Sequence, residues 1–75
     1  MRLLLLAAFA ALSLSACSHS SNIEEGDRHY AQGNWYLAER EYRAALIADP
    51  DSSEARTKYE RARRQYVERL RAEAQ

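Results

Sequence analysis

Asn34-Trp35-Tyr36-Leu37-Ala38-Glu39-Arg40-Glu41-Tyr42-Arg43-Ala44-Ala45-Leu46-Ile47-Ala48-Asp49-Pro50 is the stretch that decides the fold. Trp35, Ala38, Tyr42, Ala45 and Leu46 step by three, four, three and one, which lays them along one face of a helix. Asn34 is a residue type that caps helix starts, and Asp49-Pro50 stops the run, because proline cannot continue the hydrogen-bond ladder. The alternation of a half-buried strand is absent here and in the segments on either side.

Before this helix, Gly33 suits the left-handed position just past a helix end, so a first helix closes near Gln32-Gly33. Ser21-Asn22-Ile23-Glu24 has the capping-box form that opens such a helix. Asp51-Ser52-Ser53-Glu54 repeats the form and predicts a third helix running toward the C-terminus. In that helix Ala55, Tyr59, Ala62, Tyr66 and Leu70 make a narrow apolar stripe able to lie on the second helix, with Val67 off the stripe. Arg71 to Gln75 offer nothing to bury and should fray. The fold class is all-α.

Gly26, Gly33, Ala38, Tyr42, Ala45 and Asp49-Pro50 also stand at the spacings of a tetratricopeptide (TPR) repeat, and the segment resembles that family. The resemblance implies a helical hairpin over residues 22–50, with a capping helix over 51–75. Gly26 and Ala38 would allow close helix approach, Tyr42 and Trp35 fill the wedge, Ala45 meet the next repeat and Pro50 turn the chain. Asn22, Glu25 and His29 depart from the pattern, which has Trp, Leu and Tyr at those places. In TPR proteins the ligand-facing surface is mostly the first helix of each pair. Transferred residue by residue, that surface is Ile23, Asp27, Tyr30 and Ala31. Asp27 and Tyr30 lead as partner contacts, one for its charge and one for a large amphipathic ring. The competing reading packs Tyr30 into the domain and leaves Asp27 as solvated surface. Solenoid repeats usually number three or more, so a single repeat should leave an apolar edge for another copy or another protein.

The N-terminus carries a different message. Arg2, the ten-residue apolar run Leu3 to Leu12 and the small residues before Cys17 are the parts of a secretory signal. The run is well short of the roughly 20 apolar residues a membrane span needs. Leu14-Ser15-Ala16-Cys17 resembles the lipobox of bacterial lipoproteins. That resemblance implies cleavage of residues 1–16, acylation of Cys17 and a lipidated tether over residues 17–21. A plain secretory signal cut after Ala16 is the alternative. Cys17 is the only cysteine, so it has no partner for an internal disulfide, and lipidation accounts for it. By the same resemblance, Ser18 after the cysteine, where Asp commonly signals inner-membrane retention, implies the outer membrane at its periplasmic face. Residues 17–75 form at most one small domain, a size at which a lone core is marginal.

Charge is balanced overall and uneven locally. Residues 22–51 carry seven acids and three bases, while residues 53–75 carry seven bases and four acids. The bases spread around the third helix, as on a solvated face, with Glu54–Lys58 and Glu60–Arg64 as supporting i,i+4 pairs. A basic arm for lipid headgroups or an acidic partner is the alternative. Nucleic acid is not an expected partner of an exported protein. His19 and His29 are too few and too dispersed for a metal site and read as surface residues. No nucleophile–base arrangement or phosphate loop is present. The expectation is a membrane-anchored, periplasmic protein-binding module that is not an enzyme, with no cofactor and no small-molecule substrate. The resemblance implies an assembly or pilot factor for an envelope complex. A self-associating structural lipoprotein and an accessory subunit of an envelope enzyme are the alternatives.

Overall fold

The computed structural model describes residues 19–75, which form three helices and no strand. These are α1 over residues 19–31, α2 over Trp35–Ala48 and α3 over Ser53–Ala74. The signal segment and Cys17 lie outside the described residues.

α1 is already helical at residue 19, so Ser21 sits inside the helix instead of capping it, and the tether expected over 17–21 is partly helix. The cause is tertiary. His19 Nδ1 lies 3.1 Å from the Ala45 carbonyl of α2, which ties down a turn that local capping would not predict. At the other end Gly33 adopts φ +76°. Its N–H donates to Tyr30 at 3.0 Å, and the Asn34 N–H donates to His29 at 2.9 Å, the paired bonds of a Schellman ending.

α2 and α3 begin differently from their sequence patterns. Asn34 stands at the cap of α2, but its side chain makes no capping bond and its amide donates to Gln32 at 3.2 Å. Asn34 also closes the preceding Schellman motif, at φ −86° and ψ 75°, outside the extended conformation that aims a side chain at the helix N–H groups. For α3 the cap is Ser52, not Asp51. Ser52 Oγ accepts from the Ala55 N–H at 3.1 Å. Asp51 is spent in the turn, where its N–H donates to the Asp49 carboxylate at 3.3 Å.

The helices run up, down and up. Contacts from residue 19 to 45 and from 27 to 42 make α1 and α2 an antiparallel hairpin. Contacts from 27 to 58 and from 33 to 69 align α3 with α1. Ile23, Ala38, Tyr42, Ala45, Ala55 and Ala62 form the core, with Tyr30, Leu46 and Tyr59 packed against it. Four of these six core residues are alanine, so the helix backbones approach closely around a single large buried ring, Tyr42. That ring lies across Gly26, where an added Cβ would sit 2.5 Å from Tyr42 Cδ1. Trp35 meets Tyr30 edge-on at 4.9 Å. The stripe of α3 is buried at Ala55 and Ala62 but ends before Leu70, which is 46% exposed. The α1–α2 turn is level with Arg69, which donates to the Gly33 carbonyl at 3.4 Å, so Leu70 meets only the start of α2, near Asn34 and Leu37.

Candidate functional site

Asp27 is the point at which all three helices meet through polar groups. From α1 it accepts the Tyr42 hydroxyl of α2 at 2.5 Å and the Lys58 ammonium of α3 at 2.9 Å on each carboxylate oxygen. Burial acts to raise its pKa. The hydrogen bonds from Tyr42 and Lys58, with the charges of Lys58 and Arg61, outweigh that and hold the carboxyl below its ordinary 3.8. Burial and the same carboxylate push the Tyr42 hydroxyl far above its usual value, so it stays a donor. Lys58 therefore turns across the hairpin and does not form the i,i+4 pair expected with Glu54.

The four residues carried over as a partner-facing surface separate in the structure. Ile23 is 7% exposed and belongs to the core, so it presents no face to a partner. Asp27 is occupied by Tyr42 and Lys58, although part of its carboxylate remains in solvent. Tyr30 packs at the core edge, with the Arg61 guanidinium 4.8 Å from its ring centroid. Ala31 is exposed and carries no chemistry of its own. Asp27 and Tyr30 thus share one face with Lys58 and Arg61, and Ile23 does not. Cys17, the lipidation candidate, lies outside the described residues.

A second surface was not anticipated from the sequence. The seam between α2 and α3 opens into a cleft lined by Tyr36, Glu39, Arg43, Tyr59, Arg63, Tyr66 and Val67. Tyr36 and Tyr66 face each other across it with ring centroids 5.6 Å apart, and Arg43 lies 6.0 Å from the Tyr59 ring. The Glu39 carboxylate is buried on the cleft floor and is held by Arg43. Hydrogen bonding to Glu39 raises the Arg43 pKa further. The readable signal was the strip Tyr36, Glu39, Arg43 at steps of three and four, beside Tyr59 and Tyr66 one heptad apart. Val67, set aside from the α3 stripe, completes this wall.

Neither histidine is simple surface. His19 bonds to Ala45, and the Nδ1 atom of half-buried His29 is shielded without a hydrogen-bond partner among the described residues. Among the described residues no three His, Cys, Asp or Glu side chains gather as a metal site would require, and no helix is long and apolar enough to cross a membrane. No protein-family model, curated protein or solved structure matches the chain.

Proposed function

We propose that this chain is a bacterial lipoprotein, anchored through Cys17 at the periplasmic face of the outer membrane, whose TPR-like helical body is a non-catalytic protein-binding module. The anchor rests on Arg2, the short apolar run and the Leu14-Ser15-Ala16-Cys17 quartet. The binding role rests on one observation above the others, the open cleft between α2 and α3. Its tyrosines stand half out of solvent around arginine, the combination enriched where binding energy concentrates. Helix from residue 19 onward leaves little slack after an acylated Cys17, so a partner is a protein embedded in or docked on the same membrane. Such a module serves as an assembly or pilot factor for an envelope complex.

Cys17→Ser tests the anchor. Radiolabelled palmitate should label the wild-type protein and leave the variant unlabelled and uncleaved. Label on the variant would remove the anchor from this reading. The binding role is tested by affinity capture from detergent-solubilised membranes, comparing the acylated wild type with Tyr36→Ala/Tyr66→Ala. Loss of a captured envelope protein in that variant is the expected result. Equal capture by both would move the binding surface elsewhere, with the Asp27–Tyr30–Arg61 face next in line.

A further inference from the structure

We propose that α3 pairs antiparallel with the α3 of a second copy of this chain, through the strip Glu60, Arg63, Arg64, Val67, Glu68 and Arg71. These positions step by three, one, three, one and three, so they share one face of the helix. That face points away from the core stripe of Ala55 and Ala62, and its Arg63 and Val67 edge borders the cleft between α2 and α3. Glu60, Arg63, Arg64, Glu68 and Arg71 are all exposed, and Val67 is half-buried among them.

Two observations select the occupant. The first is that none of these five charges forms an ion pair among the described residues, a state they share with Arg40, Arg56 and Arg61, so all five are free to pair across an interface. The strip's charges are left without partners in the monomer even where i,i+4 spacing allows one, as for Glu60 and Arg64. The second is the order of signs. Reversing the helix direction so that Glu60 lies opposite Arg71 of a second copy also sets Arg63 opposite Glu68 and Arg64 opposite Val67. Every acid then meets a base, the relation is reciprocal as a two-fold interface demands, and the apolar stem of Arg64 covers Val67. A parallel pairing in register sets each charge against itself and is repulsive. Self-complementarity of this kind identifies a second copy more directly than an unrelated acidic partner, which would leave Glu60 and Glu68 facing like charge.

The strip spans about 16 Å of helix from Glu60 to Arg71, so the contact belongs to the small, weak class of interfaces. Its charges set orientation and specificity more than strength. The pairing does not depend on the lipid anchor. Two copies anchored in one bilayer satisfy it when the helices lie along the membrane surface and the two-fold axis runs normal to it.

The test is a charge swap read by sedimentation equilibrium of the full chain in density-matched detergent, at concentrations up to about 1 mM. The wild type should dimerise. Arg63→Glu alone and Glu68→Arg alone should each weaken dimerisation by about tenfold or more, since both contacts of that pair become repulsive. The double variant should recover wild-type association. An equimolar mixture of the two single variants should also form dimers, because each supplies what the other lacks. Glu60→Arg and Arg71→Glu repeat the design on the outer contact and must behave alike. All substitutions are at exposed positions, and circular dichroism should show unchanged helix content. A monomeric wild type would overturn the proposal, as would single variants that dimerise like the wild type or a double variant that fails to recover.

Discussion

Gly26→Ala separates the packing seen here from simple helix propensity, because the two predict opposite signs. On an open helix the change stabilises by about 0.8–1.0 kcal/mol. In this fold the new methyl would lie 2.5 Å from Tyr42 Cδ1, and the Tyr42 side chain is fully buried. Forcing an extra methyl into such a contact costs about 1–3 kcal/mol. Pushing the ring outward also loosens its hydroxyl from Asp27, a hydrogen bond to a charged group worth about 1 kcal/mol at a half-exposed site. The net expectation is destabilisation by about 1–3 kcal/mol. In a domain this small each kcal/mol lowers Tm by roughly 4–8 °C. The assay is thermal and urea unfolding followed by far-ultraviolet circular dichroism. In a Tyr42→Leu background the clash disappears, and Gly26→Ala should turn neutral or stabilising. A higher Tm for Gly26→Ala in the wild-type background would refute the close approach of α1 and α2 at this position, and with it the packing of the core.

The Asp27 cluster carries a pH signature. Its folded-state pKa lies below its ordinary 3.8, so the unfolded chain binds the extra proton first and stability is lost as pH falls below about 4. Urea midpoints measured from about pH 6 down to pH 2 should fall more steeply for the wild type than for Asp27→Asn, and matching slopes would assign the acid sensitivity elsewhere. At the helix starts, Ser52→Ala should cost about 1 kcal/mol through loss of the bond to the Ala55 N–H. Asn34→Ala should cost only a few tenths of a kcal/mol, since that side chain caps nothing, and equal losses in urea unfolding would contradict the two cap geometries.

The residues legible in the sequence were those whose fate depends on near neighbours. The 3.6-residue spacing of Ala38, Tyr42 and Ala45 marks the buried face of α2, and the stripe of α3 is buried where it carries Ala55 and Ala62. Gly33 was recognisable as a left-handed helix ending because only glycine takes that conformation without a steric penalty. The errors at the boundaries have a common cause. Ser21, Asn34 and Asp51 each belong to residue types that cap helices, but a cap is chosen by competition, and His19, the Schellman turn and the Asp49 side chain won those contests.

Helix number, helix breaks and the buried face of α2 thus followed from chain-local chemistry: side-chain spacing, glycine's freedom and proline's missing N–H. The placement of charge did not. Lys58 had an acid four residues away in Glu54 and instead met Asp27, 31 positions distant, because α3 packs alongside α1. Glu39 is a charged residue off the apolar face of α2 and is buried only because of its packing against α3, and Tyr36, Tyr59 and Tyr66 become walls of one cleft only where α2 and α3 come together. Ile23 moved from an expected partner surface into the core for the same reason, and Leu70 stayed half-exposed because it falls at the end of the hairpin, beside the start of α2. Periodicity states which face of a helix is apolar. The lengths and offsets of its neighbours decide how much of that face is covered, and no residue encodes those alone.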